Sequence, residues 1–362
     1  MRILHLLAAT GWGGAECVGC AHHQLALAHG QESRVDAPAL DDVVAGLRAT
    51  LVGNELGPSA EASHLRWAIA ARARRRAFQP DVVHVHLATP GLAGAAGWIA
   101  GSTPLAITFH LLPAAQRWPR DYLLRVPSPM VLELLRRGRR RCTFIALGQA
   151  DSQQLQRRFP GARVVIAPNV PSPPPLAAAP PVRLPYPEAG VRLLSVGRLV
   201  EQKGFDRMLA VLAQPALREL SWHWLIAGDG ADRSALEQRT AAVGLSERVR
   251  WLGAIPSHGL YEQAQLVLCP SRFEAAPLVP REAIRAGVPV LLSDIAPHRE
   301  LLPESTTQLL PVRVEEWAGP VSSLLTSAAA RERLKQLQEP AARDQSEALW
   351  RTCCEVYQQL LL

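Results

Sequence analysis

Ser271-Arg-Phe-Glu-Ala-Ala-Pro-Leu-Val-Pro-Arg-Glu-Ala-Ile-Arg-Ala-Gly-Val-Pro-Val290 runs from one short apolar stretch (residues 266–269) into another (289–292). Two glutamates, Glu274 and Glu282, stand eight residues apart, one ahead of a predicted helix at 280–286 and one inside it. The first amides of a helix have no partner within it, and the helix dipole is positive at that end. The helix start near residues 277–279 therefore offers N–H groups suited to an anion. Carboxylates accept hydrogen bonds from hydroxyls, so one glutamate suits a sugar and the other a ribose diol. The order strand, anion-binding helix start, strand is the repeating unit of a parallel α/β sheet.

The same rhythm extends in both directions. Upstream in this half, the strands 192–196, 222–227 and 249–252 alternate with helices at 205–213 and 233–243. The first half reads alike, with strands at 3–8, 81–86, 105–109, 144–147 and 164–167 and helices at 15–29, 92–100 and 151–159. Uninterrupted apolar strands belong to sheets covered on both faces. Between the halves, residues 168–190 carry nine prolines and read as an extended linker. The expected organisation is a first domain at 1–170, a linker at 171–190 and a second domain at 191–340. A helix at 341–362 closes the chain and has Trp350 and Tyr357 to pack, against the first domain in this reading. Two parallel sheets whose strand C-termini face across a cleft would bind a ligand between them.

At 362 residues, 48% hydrophobic and 20% charged, the chain has the composition of two globular domains and not of a disordered or collagen-like one. Six cysteines are too few for a disulfide scaffold, which points to a reduced cytoplasmic protein. The apolar run at 3–9 imitates a signal peptide, but it is short and contains His5. Residues 87–116 hold no Asp, Glu, Lys or Arg, yet prolines and glycines break them into a helix and a buried strand rather than a membrane span.

Charge is uneven: residues 1–170 sum to +8 and residues 171–362 to −1. Arginines cluster at 72, 74, 75 and 76 and at 136, 137, 139, 140 and 141, which suits an anionic membrane surface on the first domain, a phosphorylated substrate, or simply solvated helix faces. No aromatic residues interleave with them, so nucleic acid is not expected.

Only two lysines occur among 39 basic residues, and one is Lys203 in Gly197-Arg-Leu-Val-Glu-Gln-Lys-Gly204. Arg198 and Lys203, five apart beyond a strand end, suit a diphosphate and need no metal to neutralise it, or are simply two exposed loop cations. Gly11-Trp-Gly-Gly-Ala-Glu16 follows the first strand; its glycines permit close backbone approach at a helix start or simply make a tight turn. Cys17, Cys20, His22 and His23 sit along one helix without a second cysteine pair, so no metal site is expected. His84 and His86 share one side of a strand and read as core histidines, as Trp222 and Trp224 read as core tryptophans.

The Glu-x7-Glu segment with its Glu-Ala-x-x-Ala-Gly-x-Pro-Val continuation resembles the retaining GT-B glycosyltransferases of family 4. Gly-Gly-Ala-Glu16, Asp81-Val-Val-His-Val-His86, Thr108-Phe-His110, Pro168-Asn169, Gly197-Arg-Leu199, Lys203-Gly204 and Gly228-Asp-Gly230 agree in order. The resemblance covers nearly the whole chain and is stronger in the second half. It implies two Rossmann-like domains and transfer of a hexose from a nucleotide-diphosphate sugar, a UDP-sugar before a GDP-sugar, to a glycan or lipid-linked acceptor. By resemblance Glu282 holds the ribose, Glu274 the donor sugar, and Arg198 and Lys203 the diphosphate, with the backbone of Gly14 and Leu278 assisting. His110 is similar to the histidine that reaches the donor sugar from the other domain. The resemblance further implies retention of anomeric configuration without a metal or other cofactor. Ala275 and Leu111 depart from the family pattern, where Gly and Asp are usual. A GT-B nucleotide-sugar epimerase and a catalytically silent sugar-nucleotide-binding module are the alternatives.

Overall fold

A computed structural model describes residues 1–8, 13–38, 41, 47, 64–87, 92–110, 112, 133, 141–167, 169–170, 182–302 and 309–362. Most of the linker, Gly11, Trp12, Leu111 and the arginines at 136–140 lie outside the described residues. The chain divides into two compact units, Met1–Ala177 with Asp344–Leu362, and Ala178–Arg343.

The first unit holds β1 (Arg2–Ala8), α1 (Gly14–Ala28), β2 (Glu32–Asp36), α2 (His64–Phe78), β3 (Val82–Leu87), α3 (Ala93–Ala100), β4 (Leu105–Phe109), β5 (Cys142–Ala146), α4 (Gln149–Arg158) and β6 (Arg163–Ile166). The strands form one parallel sheet in the order β2-β1-β3-β4-β5-β6. Strand side chains alternate between faces, and here that alternation sorts two cores. Leu4, Leu6, Val83, Val85, Leu105, Ile107 and Phe144 face one core with Trp67 and Ile99. Ile3, Val82, Ala106 and Ile145 face the other, with Ala21, Trp350 and Tyr357. Because the interval is two, His5, His84 and His86 fall on this second face. Gly19 of α1 permits the close approach of that helix, since a Cβ there would lie 2.3 Å from Leu7 Cδ2 and 3.2 Å from the His86 ring.

The second unit holds β7 (Val191–Val196), α5 (Phe205–Leu212), β8 (Trp222–Ala227), α6 (Arg233–Ala242), β9 (Val249–Gly253), β10 (Leu266–Cys269), α7 (Leu278–Arg285), β11 (Val290–Ser293), α8 (Ala296–Leu301), β12 (Leu309–Leu310), α9 (Ala318–Thr326) and α10 (Ala328–Gln338). Its sheet is parallel in the order β12-β11-β10-β7-β8-β9. The chain leaves β7 toward β8 and β9, then returns to the other side of β7 with β10. The crevice beyond the C-termini of β7 and β10 is thus the point where a doubly wound sheet binds ligands. Trp222 and Trp224 are fully buried in its core.

The last helix, α11 (Ser346–Leu361), belongs to the first unit, where Trp350, Tyr357 and Leu360 are buried beside α1 and the sheet. Two elements of that unit escape the sequence reading. β2 is an edge strand whose Glu32 and Arg34 face outward, so it lacks an apolar run. The arginine-rich α2 buries only Trp67, Ala68, Ala71 and Phe78. Among the described residues no helix is long and apolar enough to cross a membrane; residues 87–116 contain α3 and β4 instead.

Candidate active site

The β7–α5 connection carries Arg198 and Lys203. Residues Glu201–Lys203 form one tight turn that ends at Gly204, whose φ of 67° lies in the left-handed region. A Cβ at Gly204 would stand 2.2 Å from the Pro270 carbonyl oxygen, so only glycine lets this turn pass the end of β10. That approach brings together residues about 70 apart in sequence. Lys203 Nζ lies 2.6 Å from Glu274 Oε1, with side chains 19% and 9% exposed. Ser271 Oγ donates to the same oxygen at 2.7 Å, and Gln202 Nε2 donates to Oε2 at 3.1 Å. Glu274 is therefore held by an ammonium, a hydroxyl and an amide. Arg198 is exposed and reaches the Gln202 side-chain oxygen at 3.5 Å. Arg272 buttresses the turn, pairing with Asp206 through two bonds of 2.7 Å and donating to the Glu201 carbonyl.

A cavity at this place is lined by Lys203, Ser271, Glu274, Pro277, Val279 and His298, among others. Its rim includes the start of α7, where Pro277 precedes Leu278 and no side chain among the described residues caps the helix. The Leu278 and Val279 amides are first-turn donors, the anion-attracting arrangement expected of this segment. Glu282, one turn on, accepts a hydrogen bond from the Tyr261 hydroxyl; burial raises its carboxyl pKa and that bond opposes the rise. Lys203, Glu274 and Glu282 all act electrostatically on Cys269 at the end of β10, whose thiol burial pushes up to about 12. The structure thus brings Arg198, Lys203, Glu274, Leu278 and Glu282 to one end of one sheet.

Sequence reasoning missed Gln202, Ser271, Tyr261 and His298. Buried His298 donates from Nδ1 to the Ser293 carbonyl at 2.8 Å, leaving Nε2 without a partner among the described residues. A neutral imidazole with Nδ1 protonated presents Nε2 as an acceptor. Burial holds its pKa below the usual value.

Gly14 and His110 belong to the first unit. Gly14 opens α1 behind Gly13, which has no side chain to cap it. His110 follows β4 and lies 3.2 Å from His86, ring nitrogen to ring nitrogen; burial takes it down to about 3. In the Cys17–His23 stretch, His22 meets Cys353 Sγ at 3.6 Å and His23 meets Ser33 Oγ at 2.8 Å.

The basic cluster on α2 differs from a free cationic face. Arg72 stacks over Trp98 at 4.5 Å and donates to its carbonyl, Arg74 binds both Asp36 oxygens at 2.7 and 2.8 Å, and Arg75 donates to Thr103 at 3.1 Å. Three of those four arginines are engaged within their own unit.

The family model described as Glycosyl transferases group 1 matches residues 183–339, and that described as Glycosyltransferase Family 4 matches residues 18–170. The chain is 27% identical over 269 residues to the 2-deoxystreptamine glucosyltransferase of Streptomyces kanamyceticus, covering 69% of this chain and 70% of that one. It is 31% identical over 175 residues to the alpha-D-kanosaminyltransferase of the same organism, covering 44% of this chain and 45% of that protein's length. In fold it is similar to Anabaena Alr3699/HepE, solved in complex with UDP and glucose, with a TM-score of 0.75, 18% identity and coverage of 99% and 100%. The chain belongs to the group 1 glycosyl transferases and has the two-domain α/β architecture called GT-B.

Proposed function

We propose that the protein transfers a hexose from a nucleotide-diphosphate sugar to a glycan or lipid-linked acceptor, with retention of anomeric configuration and without a metal. The observation that carries this reading is the cation–carboxylate pair Lys203–Glu274 beside the uncapped start of α7, at the switch point of the second sheet. Before the donor arrives, Glu274 holds Lys203. A diphosphate entering against the Leu278 amide draws the ammonium and Arg198 to itself and leaves Glu274 to accept from sugar hydroxyls. Glu282 takes the ribose diol, oriented by Tyr261, and the family resemblance assigns His110 and the Gly14 amide to the donor as well. The acceptor hydroxyl oxygen then bonds to the anomeric carbon as the bond from that carbon to phosphate oxygen breaks. The hydroxyl proton passes to the departing phosphate on the same face, and Lys203 and Arg198 offset the negative charge that grows there.

The first unit's net positive charge favours an anionic membrane face as the place of action, in the cytoplasm, through arginines other than the engaged ones on α2. A small aminocyclitol acceptor is the second reading, favoured by the relative whose name specifies 2-deoxystreptamine. One experiment tests both. UDP-, GDP-, ADP- and TDP-hexoses are incubated with the protein in excess EDTA, with a lipid-diphosphate glycan or 2-deoxystreptamine as acceptor. Release of nucleoside diphosphate with an axial product linkage from an axial donor supports the reading, and the productive acceptor chooses between the two classes. Strict dependence on added Mg²⁺ or Mn²⁺, or inversion, overturns the mechanism. Interconversion of the sugar on the nucleotide identifies an epimerase, and binding without turnover a silent module.

A further inference from the structure

The second face of the first sheet buries an unusual number of imidazoles. His5 on β1, His84 and His86 on β3, and His22 and His23 on α1 are each at most 3% exposed. His5 Nδ1 lies 3.1 Å from His86 Nε2, and His86 Nδ1 lies 3.2 Å from His110 Nε2. The successive rings are inclined by 33° and 30°, with centroids 5.4 Å apart in both pairs. Three imidazoles therefore form one hydrogen-bonded line from the sheet interior to His110. The line ends at His5 Nε2, which is buried and has no hydrogen-bond partner among the described residues.

Three nitrogen ligands within 4.8 Å of one another, from His5, His84 and His86, invite comparison with a metal site. His84 argues otherwise. Its Nδ1 meets the Tyr357 hydroxyl at 2.6 Å and its Nε2 the Thr108 hydroxyl at 2.7 Å, so both nitrogens are in use. The remaining pair, His5 and His86, face each other at a distance suited to one shared proton.

Burial keeps all three rings of the line neutral, so each carries one N–H. Only two arrangements give every internal contact one donor and one acceptor. If the protons sit on Nε2, His110 donates to His86 and His86 to His5, and His5 is left with a buried N–H that has no acceptor among the described residues. If they sit on Nδ1, His5 donates to His86 and His86 to His110, and the unmatched atom is a bare nitrogen lone pair. Among buried backbone groups orphaned N–H donors are rarer than under-satisfied acceptors, and the same ordering favours the second arrangement here.

We infer that His86, and His5 behind it, are positioning residues that hold His110 as the neutral Nδ1–H tautomer, so that His110 meets the donor sugar as a hydrogen-bond donor. The contact with sugar rests on the function proposed above, whereas the tautomer rests on the line of imidazoles alone. The donor property then depends on residues that never touch substrate.

The test reads the two parts separately. In the full chain labelled with ¹⁵N-histidine, long-range ¹H–¹⁵N spectra should show His110, His86 and His5 each with a protonated Nδ1 and a bare Nε2. The opposite pattern, or an averaged or charged one, overturns the assignment without touching the proposed function. Added Zn²⁺ should leave these signals in place; loss of the pattern through coordination overturns the proton-sharing line in favour of a metal site. In activity, His86→Leu removes the donor to His110, while His86→Asn keeps an N–H near the Nδ1 position. His86→Leu should lower kcat about tenfold, the scale of one net hydrogen bond, with donor KM little changed, and His86→Asn should recover most of it. Equal losses in both variants, tracking Tm alone, make His86 merely structural. If the tautomer pattern is as inferred but His110→Leu leaves turnover unchanged, the sugar contact fails and the line stands.

Discussion

Replacing Lys203 by alanine separates what the ammonium does for folding from what it does for chemistry. In the structure Lys203 Nζ sits 2.6 Å from Glu274 Oε1, in a pair whose side chains are 19% and 9% exposed. Breaking a buried pair costs about 3–5 kcal/mol because one charge is stranded. Here Glu274 keeps the Ser271 hydroxyl and Gln202 amide, and the pair is partly wetted. The expected destabilisation is accordingly smaller, about 2 kcal/mol. Donor binding exchanges one charge-assisted contact of Lys203 for another, so the effect on affinity is modest. Bond breaking adds charge to the leaving phosphate only in the transition state, and that addition has no counterpart before the donor arrives. Losing one preorganised donor to such an oxygen costs about 10²–10³ in kcat. The assay is initial rate against donor concentration, with Tm recorded in parallel, for Lys203→Ala, Glu274→Gln and the double variant. The double variant should regain most of the lost Tm, because the stranded carboxylate is gone, and none of the turnover. If Lys203→Ala retains turnover within about threefold, well short of the effect of a lost oxyanion donor, the diphosphate clamp is misplaced. Recovery of turnover in the double variant would make the effect electrostatic repair of the fold.

Glu282→Gln should raise donor KM with kcat at saturation little changed, because the ribose is the same in ground and transition states; a loss confined to kcat contradicts the ribose role. Gly204→Ala forces φ of 67° on a residue whose Cβ would lie 2.2 Å from the Pro270 oxygen, while Gly319 has nothing within 4 Å of its own added Cβ. The first should lose about 2–3 kcal/mol, or several degrees of Tm, and Gly319→Ala should not; equal Tm values refute the close approach. Burial takes His22 and His110 from 6.5 to about 3, so between those pH values the unfolded chain binds more protons than the folded one. Stability is fully present above pH 6.5 and falls as pH falls toward 3; at pH 5 each contributes a loss of about 2 kcal/mol. Urea midpoints at pH 7 and pH 5 measure it, and His22→Leu should flatten the slope; an unchanged slope contradicts the neutral burial of that ring.

How far the sequence foretells this arrangement follows from which residues interact. Strands buried on both faces announce themselves as apolar runs, so β1, β3, β4, β7, β8 and β10 are legible within a residue or two. The edge strand β2 is not, because Glu32 and Arg34 keep its outer face polar. Neither is α2, whose arginines hide a narrow stripe of Trp67, Ala68 and Ala71 and turn inward to Asp36 and Thr103. Glu274, Glu282, Arg198 and Lys203 are legible as types at spacings. The pairing of Lys203 with Glu274 is not, since it spans 71 positions and depends on Gly204 passing Pro270. The two-residue interval of His84 and His86 reveals a shared face. Only the register of β1 against β3, setting His5 opposite His84, and the packing of α1 and α11 over that face reveal the cluster.

The most direct test of the central claim is a calorimetric titration of UDP, GDP, ADP and TDP into the full chain in excess EDTA, repeated with the Arg198→Ala/Lys203→Ala variant. At least one nucleoside diphosphate should bind without metal, and the folded variant should bind it at least about tenfold more weakly, the loss of one or two charge-assisted hydrogen bonds. Binding of equal strength in the variant, or binding of all four only when Mg²⁺ is added, would contradict the account.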